Sequence, residues 1–127
     1  MKYIRFLLQA GLGVYFTWLG VLQLVGPPPG LQADFIRWGY ALWFITIVGA
    51  VEFLGGIGML VGLRISWIGA MAGLWLAATM VGAILTHFNA QDGGWPLPLI
   101  LLGLCLTIVW MHWSALSNLA GQLKPHR

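Results

Sequence analysis

One acidic side chain lies deep in an apolar stretch of this chain. Glu52 sits near the middle of the run from Tyr40 to Leu63. As a helix that run is about 36 Å long, and a bilayer's hydrocarbon core is about 30 Å thick. A carboxylate at that depth costs roughly 2.5–3.5 kcal/mol on insertion scales, so partners must hold it. A carboxyl taken out of water favours its neutral form, which both donates and accepts hydrogen bonds. The candidate partners are Thr79 of the third run and Gln9, Gln23 or Thr17 of the first, with His87 further out. Glu52, His87, Gln9, Gln23 and Thr79 form the candidate ligand-binding set. No nucleophile with a neighbouring base, no metal cage and no cofactor motif accompanies them, so no catalytic residue is assigned.

The remaining reactive types narrow the chemistry. His87 and His112 end different apolar runs at opposite depths, roughly 20 Å or more apart, so they cannot share a haem. His87 with Asp92 gives two ligands in one loop, short of a zinc set. No metal is expected, and no role is read for His112 or His126. Cys105 is the single cysteine. It allows no internal disulfide and no thiol exchange, and reads as a small apolar helix residue. No cofactor is expected beyond a quinone or a lipid.

The elements that must position these residues follow from composition and period. Of 127 residues 60% are hydrophobic and 7% charged, against about 25% charged in soluble domains. Eight Trp and eighteen Gly fit the same membrane class, as interface anchors and packing residues. A scattered net charge of +3 gives no nucleic-acid surface. The chain reads as one integral membrane domain over 1–127. Its spans are 6–26, 40–63, 66–86 and 97–113. Lys2 and Arg5 precede the first run as in a signal peptide, but its length and the lack of a small-residue cleavage site indicate an uncleaved span.

Gln9, Gly13, Phe16, Gly20 and Gln23 recur at steps of four and three, the seam of a helix pair. Pro27-Pro28-Pro29-Gly30 stops the first helix. Leu31, Phe35 and Trp38 then share one face of a short segment ending at Gly39, which reads as an interfacial helix. The alternative is an irregular loop plugged into the mouth of the bundle. Val48, Gly49, Gly55, Gly56 and Met59 share the Glu52 face, which turns that face toward other helices. Arg64-Ile65-Ser66 makes the second and third spans a hairpin. Gly69, Gly73 and Ala77 form a small-residue ridge, and Thr79, Ala83 and His87 a second row of the same period. His87 to Pro96 is a polar loop with Trp95 as an interface anchor. The fourth span puts Gly103, Thr107, Trp110 and Ser114 on one face. The fold class is therefore all-α, a four-transmembrane-helix bundle with a short interfacial helix between spans one and two.

The hairpin sets depths. Glu52 is level with about Ala78, and His87 lies nine positions further out, about 13 Å along the axis. A link between Glu52 and His87 therefore needs a ligand or water between them. Thr79 is the nearest polar group of the third span. Orientation follows from basic residues: Lys2, Arg5, Arg64, Lys124 and Arg127 share one side, and the other holds Arg37 with Asp34 and Asp92. Both termini are expected in the cytoplasm of a bacterial-type plasma (inner) membrane.

The segments Gly49-x-x-Glu52-x-Leu54-Gly55-Gly56-Ile57-Gly58-x-Leu60 and Met80-x-Gly82-Ala83-x-x-Thr86-His87 resemble the DoxX-like group of small four-span membrane proteins. Gly20-x-x-Gln23-Leu24 fits as well, although relatives often carry a lysine near Gln23. The likeness runs from about Gly11 to His87 and is weaker in the fourth span. The resemblance implies a four-helix bundle and no single activity. Some relatives are membrane subunits associated with thiosulfate:quinone oxidoreductases, and others associate with membrane redox-stress complexes. The first functional expectation is accordingly a non-catalytic subunit or anchor of a redox-linked assembly. Its partners would be the lipid bilayer and other membrane subunits or further copies of itself. The second is a small-molecule site, for a quinone or lipid, inside the bundle near Glu52. Proton-coupled transport through Glu52 ranks last, since four short spans leave little room for alternating access.

Overall fold

The computed structural model describes residues 2–113. Ser114, Lys124, His126 and Arg127 lie outside the described residues. Those described form five helices and no strand. α1 runs over Lys2–Val25, α2 over Pro29–Arg37, α3 over Trp43–Val61, α4 over Ser66–Ala90 and α5 over Pro96–Met111. Each proline-rich boundary works as the chemistry of proline requires. Pro28 is extended (φ −59°, ψ 147°) and Pro29 occupies the first turn of α2, where its missing N–H is no loss. The segment after the prolines is thus helical, not an irregular loop. Gly39, at φ +86°, turns the chain from α2 toward α3, a conformation that glycine adopts without steric cost.

α4 extends one turn past the expected boundary at Thr86. Gln91 closes it in the left-handed conformation (φ 54°). Its amide donates to the Phe88 carbonyl and the Asp92 amide to that of His87, so the last turn is capped from within. His87 is therefore on the final turn of a helix, and the connecting loop begins at Gln91.

The longer helices pack in sequence: α1 on α3, α3 on α4, α4 on α5, and α5 back against α1. Small residues bring them close. Gln9, Gly13, Phe16, Gly20 and Gln23 are all buried, as their spacing predicts. A Cβ at Gly20 would stand 2.6 Å from the Phe53 amide nitrogen, and one at Gly49 2.7 Å from the Gln23 side chain. Near the 62–65 turn, α3 meets α4 through Gly55 on Leu76, Gly58 on Ala72 and Gly62 on Gly69. Gly73 seats α4 on Val109 and Cys105 of α5. Leu12, Phe16, Met59, Leu76, Cys105 and Ile108 fill the space between.

α5 buries Pro98, Cys105, Ile108 and Val109. Its Gly103 and Trp110 face outward, and Thr107 bonds back to the Gly103 carbonyl.

The outer surface is apolar too. Leu7, Val14 and Trp18 of α1, Leu54 of α3, Leu85 of α4 and Ile100 of α5 are exposed. Helices that are apolar all round belong in a core or a bilayer. α1, α3 and α4 are long and apolar enough to cross a membrane, while α5 has 16 residues.

A candidate cavity between diverging helices

The small-residue contacts that join α3 to α4 stop at Gly55. Beyond it the facing side chains of α3 are Glu52, Val51, Val48 and Phe44, which are too large for the same approach. A Cβ at Gly82 of α4 would meet nothing there within 4 Å, and Leu31, Phe35 and Trp38, in and just after α2, join the lining. The result is a cavity of about 390 Å³. Its floor holds Gln23 of α1 and Glu52 of α3. Val48, Ile47, Gly82 and Ala83 make the walls, and Phe35, Trp38, Tyr40, Phe44, Thr86 and His87 surround its outer end.

At the floor, Glu52 is 7% exposed and Gln23 6% exposed. The Gln23 amide Nε2 donates to Glu52 Oε2 at 3.5 Å, the long limit for such a bond. The Gln23 carbonyl Oε1 finds no donor among the described residues. A buried carbonyl left this way typically costs about 1–3 kcal/mol. Thr79 lines the cavity, but its hydroxyl donates to the Trp75 carbonyl of its own helix at 3.0 Å. The Trp75 indole in turn donates to the Val51 carbonyl of α3 at 2.8 Å.

At the outer end Asp92 gathers four donors. Oδ1 accepts from the Gly94 amide at 2.9 Å and pairs with His87 Nδ1 at 2.7 Å. Oδ2 accepts from the Trp38 indole at 2.9 Å and from Arg37 at 3.2 Å. The Gly94 amide, then His87 and Trp38, hold the Asp92 carboxyl well below the usual carboxylate range. One loop carboxylate thereby ties α2 to the end of α4. With Nδ1 committed to Asp92, the other imidazole nitrogen of His87 is left for a ligand or water. Tyr40 and Thr86 share a hydroxyl bond at 2.8 Å across the same mouth.

Gln23, Glu52, Thr79 and His87 thus line one cavity, with no direct bond between Glu52 and His87. Gln9 lies at the opposite end. Its Nε2 donates to the Met59 carbonyl at 2.8 Å, and its Oε1 meets His112 Nε2 at 2.7 Å. Ser66 meets the other ring nitrogen of His112. With the Gln9 amide so placed, Nε2 of His112 carries the proton and Nδ1 accepts from Ser66. This chain of bonds joins α1, α3, α4 and the end of α5. His112, 3% exposed, and the aromatic group over the cavity are the residues that sequence reasoning left without a role. Phe35, Trp38, Tyr40 and Phe44 were legible as a cluster flanking Gly39, but not as a lining. The apolar face of α2 turns inward, with Phe35 buried.

The sequence profile of the DoxX-like family matches residues 7–109. The match takes in the whole cavity and reaches the last turn of α5. An uncharacterized protein of Bacillus subtilis (strain 168), YdgD, is 29% identical over 91 residues, covering 70% of this chain and 78% of that protein. No solved structure matches the chain. With the profile spanning most of the sequence, the chain belongs to the DoxX-like family.

Proposed function

We propose that this is a four-span protein of a bacterial-type inner membrane, one domain over 1–127, that binds a small, largely apolar molecule in the cavity above Glu52. The observation that carries this reading is the unpartnered Gln23 carbonyl beside Glu52, at the floor of an otherwise apolar space. A merely structural core would satisfy or omit such a group. The ligand has an apolar body along Val48, Ala83 and the aromatic rings and a polar head at Gln23 and Glu52; a quinone and a lipid are the first chemistries of that shape to test. The residues support binding and assign no reaction.

α5 would be the fourth span. At about 24 Å it is shorter than the hydrocarbon core, and local thinning of the bilayer accommodates such a helix at modest cost. Lys2, Arg5 and Arg64 at one end of the helices and Arg37 at the other favour cytoplasmic termini. α2 then lies at the outer interface, its apolar face on the cavity.

Native mass spectrometry of the detergent-purified protein tests the binding reading. A small molecule should accompany the wild type and be lost from Ala83→Phe, which fills the wall, while the variant keeps its thermal midpoint. A co-purifying polypeptide with no bound small molecule would favour the subunit or anchor role instead.

A further inference from the structure

We propose that the molecule held in this cavity is a lipophilic cation, an organic ammonium whose head sits between Glu52 and Gln23. The inference rests on the binding reading above and adds the charge of the ligand. Glu52 has no cationic partner among the described residues; the ion pairs there are those of Arg37 and His87 at the outer end. A carboxyl out of water stays neutral unless a counter-charge and hydrogen-bond donors accompany it, and an ammonium brings both and so holds the ionised, accepting form. The described residues supply one donor, the Gln23 amide, at the limit of bonding distance. Beside it the Gln23 carbonyl is a second acceptor with no donor. Two converging acceptors call for a ligand that brings N–H groups. A quinone in its oxidised form brings only acceptors and would leave both short.

The approach to this floor fits the same charge. Phe35, Trp38, Tyr40 and Phe44 line the outer half of the cavity, and aromatic rings attract ammonium groups through their quadrupoles. Arg37 is drawn aside by Asp34 and Asp92 at 3.0 and 3.2 Å. A cation entering from the outer end therefore passes aromatic rings, and the nearby guanidinium is already neutralised.

Three probes of closely matched size separate charge from shape: 4-phenylbutylamine, 4-phenylbutanol and 4-phenylbutyrate. Each is titrated at pH 7 into the full-length protein in a neutral detergent, with tryptophan fluorescence as the signal. The amine should bind at least tenfold more tightly than the alcohol, and the acid should not bind. Glu52→Gln keeps hydrogen-bonding capacity but no charge, and should bring amine and alcohol to equal affinity with the thermal midpoint maintained. Alcohol binding as tight as amine binding in the wild type would overturn the cation assignment and leave the cavity reading standing. An amine preference surviving in Glu52→Gln would overturn it too. Binding of none of the three would count against both. Should Glu52→Gln fail to fold, the wild-type series alone decides.

Discussion

Gly20 shows how much one missing side chain can hold together. Its α-carbon faces the α3 backbone so closely that Gly20→Ala must push α1 away. Overpacking of this kind costs about 1–3 kcal/mol, and a lowered thermal midpoint in detergent would register it. His112 acts by bonding instead of space. His112→Ala strands Gln9 Oε1 and Ser66, with an expected loss of about 1–3 kcal/mol. Gln9 stays buried in that variant, so a midpoint equal to wild type would show that the inner polar chain holds nothing. At Glu52 the two replacements divide. Glu52→Gln preserves a partner for Gln23 and should leave stability nearly unchanged. Glu52→Leu leaves the whole Gln23 amide unsatisfied and should cost on the order of 1–3 kcal/mol. Equal midpoints for the two would mean that the floor contributes no hydrogen bonding.

Among the elements, α2 depends on the connecting loop of α4 more than on its own propensity. Its nine residues are too few for a stable isolated helix. Asp92 supplies the attachment, and the ionised form is the one that accepts from four donors. Because its carboxyl is held below the usual range, the attachment is complete above about pH 4, the ordinary carboxylate value. It fades as the pH falls from there toward the lower folded value. Asp92→Asn should loosen α2 at neutral pH and remove that part of the acid sensitivity, read as the accessibility of a probe cysteine at the half-buried Leu31 from pH 7 to pH 3. A parallel acid response in both proteins would refute the role of Asp92. The elements themselves were legible because apolar runs, prolines and glycine steps are local signals. The stripe from Gln9 to Gln23 predicted its own burial residue by residue. Partnership was not legible in the same way. Gln9 and Gln23 share a helical phase but lie fourteen positions apart, about 21 Å along the axis, so phase alone could not assign them different ends. His112 needed the contact of α5 with α1, which no periodicity reveals. The inward turn of α2 depended on Asp92, a loop residue with no pattern of its own.

For the molecule as a whole, the ends are the testable unit. Single cysteines at Gln91 and at Ile65 should label from opposite sides of intact inner-membrane vesicles, with Ile65 on the cytoplasmic side. Cys105 is fully buried and can remain as an internal blank. Labelling of both from one side would refute the topology. The glycine contacts between α3 and α4 carry a mechanical meaning as well. Dovetailed backbones at Gly55, Gly58 and Gly62 fix α4 to α3 in the inner half, and their absence beyond Glu52 leaves the outer half of α4 compliant, while Gly20 and Gly49 keep α3 clamped to α1. Amide exchange should therefore slow along α4 from Thr86 toward Gly73, and anything that fills or empties the outer half should be absorbed by α4, with the α1–α3 pair serving as its fixed base.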